Sequence, residues 1–431
     1  MTDAALVPRA LAIRIFLAFA CGYFLSALLR AVTATLAPSF SQELGLRPSD
    51  LGLLAGAYFL GFSLLQLPLG SALDRIGPKR VLMGLLGVGV VGCAAFAMSQ
   101  SVAGLIVARA LIGMGVAACL MAPLTSFRLR FSPAAQLRAN SWMLMSGSLG
   151  MVASTLPVQW LLPLTGWRGL FWIMAVGLAL VILLTWWWVP ADASRTTPSV
   201  DVGPTGQAQV PAGYGFVARH PVFVRSVPLG FFVYGGLIAV QSLWAGPWLT
   251  QVAGWTAQDA AGGLFLINVA MLLAFMAWGA AMPRLVSRGI HARRLMTWGL
   301  PAPLLLLGWI VFDPQPAGAE MWALWCVSCT FVSVSQPAVG QAFPAALAGR
   351  ALSAFNLVIF SGVFCIQWGI GLGIEAFSTL GWDVAQAFRA TLAIHLACCI
   401  VAYLWFVAPR RASETDNAAL PLPGSPPHTR A

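Results

Sequence analysis

Apolar runs alternate with short polar breaks along almost the whole chain. Each run is about 18 residues or longer, enough to cross the roughly 30 Å hydrocarbon core of a bilayer as a helix. A helix also lets one segment satisfy all of its own backbone polar groups in lipid. Twelve runs are read, at 11–37, 51–72, 81–98, 102–126, 139–163, 168–189, 223–249, 260–282, 293–312, 319–343, 351–376 and 386–408. The pattern predicts an all-α polytopic membrane protein.

The polar breaks carry a charge bias. An even number of spans puts both termini on one side. Of the 24 Lys and Arg residues, nineteen fall on that side and three (Arg47, Arg168, Arg389) on the other. The remaining two, Arg30 and Arg109, lie inside spans. Cytoplasmic loops collect positive charge, so both termini are expected in the cytoplasm, with the protein in a bacterial inner membrane. The net charge of +11 is then a topology signal, and no nucleic-acid partner is expected. Trp186, Trp187 and Trp188, closing the sixth run, suit the membrane interface.

Composition agrees. The chain is 59% hydrophobic and 9% charged, with mean hydropathy +0.83, more apolar surface than one soluble core can bury. All eight cysteines sit in apolar stretches. Cys326-x-x-Cys329 has metal-like spacing but no histidine beside it, and reads as packing. Neither metal nor cofactor is expected. There is no G-x-x-x-x-G-K-[ST] phosphate cradle and no nucleophile–base pair, so an ATP-driven pump and an enzyme are both disfavoured. Arg9 and Arg14 precede an apolar run that continues past Cys21, which reads as an uncleaved first span.

The chain repeats itself. Phe131-Ser-Pro-Ala-Ala-Gln-Leu-Arg138 returns as Phe343-Pro-Ala-Ala-Leu-Ala-Gly-Arg350, and Gly166-Trp167 as Gly381-Trp382. Gly22, Phe24, Val32 and Pro38 of the first run line up with Gly230, Phe232, Val240 and Pro247 of the seventh. Two six-helix halves follow, at 1–189 and 223–408. The Pro- and Gly-rich segment 190–222 reads as a cytoplasmic linker with a short surface helix, and 409–431 as a disordered tail.

Between the second and third runs stands Gly70-Ser-Ala-Leu-Asp74-Arg75-Ile-Gly77-Pro-Lys79-Arg80. This G-x-x-x-D-R-x-G-x-K-R pattern resembles the loop between helices 2 and 3 of the major facilitator superfamily. The resemblance implies twelve transmembrane helices in two six-helix halves that transport by alternating access. It assigns Gly70, Asp74, Arg75, Gly77, Lys79 and Arg80 to gating. In the second half Gly279 and Arg284 match Gly70 and Arg75, but Pro283 replaces Asp74. Leu105-Ile-Val-Ala-Arg109-Ala-Leu-Ile-Gly113-Met-Gly115 is similar to the helix 4 motif of that superfamily. Arg109 then either couples conformation or protons, or fixes packing through backbone carbonyls. The Gly-Pro signature of drug antiporters is missing from the fifth run, which has Gly147, Gly150 and Pro157 instead.

Arg30 carries the sharpest functional expectation. Inserting an arginine at a helix centre costs about 2.5–3.5 kcal/mol on the translocon scale, so it should face a wet cavity or a partner. The surrounding segment, Gly22 to Pro38, resembles helix 1 of the organophosphate/phosphate antiporters, where the matching arginine contacts substrate phosphate. The second arginine of that clamp is missing, because Ile238 stands opposite Arg30 in the repeat. Thr33, Gln241, Ser242, Gln336 and Gln341 join Arg30 as candidate substrate contacts on the cavity helices 1, 7 and 10. Gln66, Asn268, Asn356 and Gln367 are additional polar candidates, and each has interhelical bonding as its plainer role. Trp244 and Trp248 either wall the cavity or anchor at the interface. Glu375 and His395 are the few titratable groups in the spans, and neither is an obvious proton carrier.

These readings describe a monomeric transporter of a small solute, an organic anion by the Arg30 argument, with a proton or counter-anion as candidate co-solute. An exporter of amphipathic compounds and a transporter-fold solute sensor are the alternatives.

Overall fold

The computed structural model describes residues 7–191 and 214–408, and among them every regular element is helical. Ten helices are long and apolar enough to cross a membrane. The pair Pro48–Leu64 and Gln66–Leu73, bent by 41°, makes an eleventh span. The twelfth emerges at Gly166, whose backbone (φ 64°, ψ 169°) breaks the stretch Leu156–Trp188. Residues ahead of Gly166 complete span 5, begun by Pro133–Ala153, and residues after it form span 6. Gly381, at the matching turn of the second half, also has positive φ, 87°. Only glycine adopts such conformations without steric cost, which explains the repeated Gly-Trp pairs.

The remaining spans are 1 (Arg9–Leu44), 3 (Pro78–Met98), 4 (Val102–Arg130), 7 (Pro221–Val252), 8 (Ala257–Ser287), 9 (Ala292–Phe312), 10 (Ala319–Gln341), 11 (Ala345–Thr379) and 12 (Val384–Val407). Span 1 packs on 5 and 6, span 2 on 4, and span 3 on 4 and 6. Spans 7 to 12 repeat this pattern: 7 packs on 11 and 12, 8 on 10, and 9 on 10 and 12. The molecule is two six-helix halves.

The halves meet along spans 2 and 11, 1 and 7, and 5 and 8. We call the face where the first and last spans begin and end the terminal face. At the far face the seam is tight. A Cβ on Gly52 would strike the Gln367 carbonyl, and one on Gly371 the Pro48 carbonyl. Small residues of this kind let helix backbones approach where lipid supplies no hydrophobic drive. Nearer mid-depth, Phe360 of span 11 sits against Phe62 and Phe59 of span 2, with ring centroids 4.5 and 6.2 Å apart. Gly70 has open space around its Cβ position. No other helix approaches Gly70 closely in this conformation. Gly77, with φ 95°, does need its missing side chain.

Two irregularities follow the repeat. Span 4 breaks after Val116 and resumes at Met121, while span 10 tightens into a 3₁₀ turn at Thr330–Val334. In the frame of the Phe131/Phe343 repeat these breaks coincide. Span 7 has no such counterpart in span 1. It contains three π-helical stretches, Leu229–Tyr234, Val240–Trp244 and Trp248–Val252. The copies are 208 residues apart at Gly22/Gly230 and Val32/Val240, but 209 apart at Pro38/Pro247. A π turn holds one residue more than an α turn. The extra residue falls where the middle π stretch lies.

Tyr214–Arg219 forms the short helix expected before span 7, but Val217 is fully buried beside Phe223, Phe343 and Phe355. The helix is docked by this residue rather than lying free on the surface. Most of the linker and all of the tail lie outside the described residues.

Candidate functional site

Arg30 projects from span 1 and is half-buried. One terminal nitrogen lies 3.5 Å from Met151 Sδ on span 5. Its Nε is buried with no partner among the described residues. Tyr58 of span 2 and Tyr234 of span 7 lie within electrostatic reach of its charge, and Tyr23 within reach of Tyr234. The Tyr23 ring rests against Gly147 of span 5, where a Cβ would overlap it. Two of the chain's five tyrosines therefore lie within electrostatic reach of one intramembrane cation, with Tyr23 next to one of them. Sequence reasoning missed all three, and Met151 as well. Their scarcity and their placement on spans 1, 2 and 7 were the available signals.

Arg109 is buried, at 1% exposure. It donates to the Leu29 carbonyl at 3.0 Å and to the Thr33 hydroxyl. Its guanidinium sits 5.5 Å from the Tyr58 ring centroid and 5.9 Å from that of Phe96. The Tyr58 hydroxyl in turn donates to the Ser26 carbonyl at 3.2 Å. A charged hydrogen bond contributes about 1.5–3 kcal/mol and a cation–π contact about 0.5–2 kcal/mol. These contacts bind spans 1, 2 and 4 together behind Arg30. Thr33 is turned to Arg109 and buried.

The candidate polar residues of the second half pair with one another. Gln241 donates to Asn268 at 3.1 Å, Gln367 to Ser242 at 2.9 Å, and Gln336 to Asn356 at 2.6 Å. The Trp244 indole donates to the Gln367 carbonyl at 3.1 Å. These bonds join spans 7 to 8, 7 to 11 and 10 to 11. Gln367 Oε1 is buried without a partner among the described residues. Gln341 is exposed at the terminal-face end of span 10. Trp248 donates to the Ala317 carbonyl at 2.9 Å and is fully buried.

The expected gate residues sit together on the terminal face. Lys79 donates to the Trp186 and Val189 carbonyls at 2.8 and 2.5 Å, placing its charge on the C-terminal end of span 6. Arg130 reaches the Pro190 carbonyl at 3.3 Å nearby. Arg75 and Arg80 are exposed. The Asp74 side chain lies outside the described residues. On the far face all three arginines are engaged. Arg47 bridges Asp50 and Glu375, Arg168 pairs with Glu43, and Arg389 donates to the Pro314 carbonyl at 2.8 Å. The hydrogen bond that Arg47 donates to Asp50, with the charge of Glu375 behind it, raises the Arg47 guanidinium above its ordinary pKa.

His395 is buried against Gly236 of span 7, with Cys399 Sγ 3.5 Å from Nε2. It is enclosed between spans 7 and 12 of the second half. Among the described residues no group of three metal-ligating side chains converges.

Known proteins share this architecture. Residues 19–366 match the model of the Major Facilitator Superfamily. The Inner membrane transport protein YajR of Escherichia coli (strain K12) is 33% identical over 34% of this chain and 32% of its own. The Gallate transporter of Pseudomonas putida is 26% identical over 58% and 61%. The 4-hydroxybenzoate transporter PcaK of Acinetobacter baylyi (strain ATCC 33305 / BD413 / ADP1) is 26% identical over 64% and 66%. The aligned stretches thus span from about a third to two thirds of these relatives' length. Among solved structures, the D-xylose-proton symporter superposes with a TM-score of 0.72 at 17% identity, covering 92% of this chain and 97% of the other. Family match, helix count and mirrored packing lead to one assignment: the chain belongs to the Major Facilitator Superfamily.

Proposed function

We propose that the chain carries a small hydroxylated organic carboxylate across the membrane by alternating access, with Arg30 as the anion anchor. The observation that carries this reading is Arg30 itself, an intramembrane cation whose buried Nε has no partner among the described residues, with Tyr58 and Tyr234 within electrostatic reach. An unpaired charge at that depth is costly, and a carboxylate in a partly dry cavity would offset the cost through charge-assisted hydrogen bonds. The partly buried Tyr23 and Tyr234 offer ring faces to an aromatic or polyhydroxylated body and hydroxyls to its substituents, while Tyr58 is committed to Arg109 and the Ser26 carbonyl. The names of the gallate and 4-hydroxybenzoate transporters support the same chemistry.

In this reading residues 1–189 and 223–408 are the moving halves, joined by 190–222, with 409–431 as tail. Both termini face the cytoplasm, which makes the tight far-face seam the external gate. Asp74, Arg75, Lys79 and Arg80 hold the cytoplasmic side when the halves rock the other way. A proton or counter-anion accompanies the solute. The protein works as a monomer.

Uptake of radiolabelled 4-hydroxybenzoate and gallate into proteoliposomes tests the reading. Arg30→Lys keeps the charge but loses the planar fork, and is expected to raise KM at least tenfold, with Arg30→Gln abolishing uptake. The melting temperature of both variants should stay near that of the parent. Normal uptake by Arg30→Gln, or no uptake by the parent, defeats it.

A further inference from the structure

At the far-face end of the seam lies a second polar site. Span 1 ends in Pro38-Ser39-Phe40-Ser41-Gln42, and span 7 in Pro247-Trp248-Leu249-Thr250-Gln251. Both read P-x-x-[ST]-Q, and every matching pair is 209 residues apart. The structure brings the two copies face to face. Pro38, Ser41, Gln42, Pro247, Thr250 and Gln251 line a single crevice of about 410 Å³. The crevice is therefore built twice from one pattern, once by each half.

Its chemistry is uncharged. Two carboxamides and two hydroxyls converge there; the Thr250 hydroxyl donates to the Gly246 and Pro247 carbonyls at 3.2 and 3.3 Å and so meets a ligand as an acceptor, while the carboxamides both donate and accept. Glu43, the adjacent acid, is held elsewhere: it accepts from the Trp167 indole at 2.5 Å and pairs with Arg168. Pro38 has no N–H to give to the Ala34 carbonyl one turn back. Span 7 closes on that carbonyl through Gly246, whose Cβ position would lie 2.6 Å from it. The crevice is thus anchored at its base while Gln42 and Gln251 remain exposed at its rim. Eleven residues of helix, about 16 Å at 1.5 Å each, separate Ser41 from Arg30. One small solute cannot touch both.

We propose that this crevice is a separate subsite that binds hydroxyl groups of a small solute at the far face, before or after the central anion site. Hydroxyls both donate and accept, as carboxamide and hydroxyl partners require, and no cation is present to favour a carboxylate over them. The class of solute rests on the anion-transport reading, while the subsite rests on the crevice residues alone.

The test uses the full chain in proteoliposomes, with Thr250→Cys as reporter and the exposed Cys21 and Cys365 replaced by serine. Labelling of Cys at position 250 by a soluble maleimide is timed with 4-hydroxybenzoate, gallate or benzoate present. The two hydroxylated probes are expected to slow labelling at least threefold and benzoate not to. Adding Gln42→Leu should abolish the protection, and Arg30→Gln should leave it intact while removing uptake. Absence of protection by either hydroxylated probe, or equal protection by benzoate, overturns the subsite. Uptake measured on the same samples reports independently on the anion reading, so either can fail alone.

Discussion

Arg109 donates to the carbonyl of Leu29, the residue immediately before Arg30, at 3.0 Å. The buried arginine of span 4 therefore sets the backbone from which the half-buried one projects. Arg109→Lys loses the second hydrogen bond, to Thr33, and the planar stacking on Tyr58. It is expected to lower stability by about 1.5–3 kcal/mol, the range for a charged hydrogen bond. A fall in melting temperature together with weaker uptake would show it. Unchanged melting with lost uptake would instead make Arg109 a coupling residue.

The Arg47–Glu375 bridge, 2.9 Å long, ties span 2 to span 11 across the far-face seam. It is exposed, and such pairs contribute about 0.2–1 kcal/mol. Glu375→Gln should shift the population toward far-face opening by up to about fivefold, measured by spin-label distances between spans 2 and 11. In 1 M salt, where screening reaches about 3 Å, parent and variant should converge.

Topology is open to direct labelling. Single cysteines at Gln100 and Gly289 are both exposed, on opposite faces. In intact cells an impermeant maleimide should label position 100 and spare position 289. The opposite pattern would invert the orientation drawn from the arginine and lysine bias.

Asp74→Asn removes the one acid from the basic loop between spans 2 and 3. Folding should be retained, because the loop lies at the edge of the bundle and Lys79 keeps its carbonyl partners on span 6. The inward-facing population should rise, by an amount set by about 0.3–1 kcal/mol, the usual value of a carboxylate facing a helix N-terminus, here the start of span 11. Unaltered distances across the terminal face would remove Asp74 from the gate.

The spans were legible because burial in lipid demands length and apolarity, both of which are local properties. Gly166 was legible too, as half of a repeated Gly-Trp pair whose positive φ only the structure explains. The surroundings of Arg30 were not. Tyr23, Tyr58, Met151 and Tyr234 come from four spans, and no spacing rule connects them. The amide pairs of the second half were visible as polar residues in apolar runs, but their choice of partner depends on helix rotation. The crevice lay half in view, since Pro38 and Pro247 were aligned without the Ser41/Thr250 and Gln42/Gln251 matches that follow them.

The middle π stretch of span 7 makes that helix behave like two rods joined out of step. One residue fewer between Val240 and Trp244 would restore an α turn and rotate one rod against the other by about 100°. Tyr234 belongs to one rod and Gln251 to the other. No single-residue deletion there can keep both the tyrosine beside Arg30 and the carboxamide opposite Gln42. The duplicated halves, alike in packing, are for this reason not exchangeable parts: a second copy of span 1 in place of span 7 would hold one end of the seam in register and lose the other.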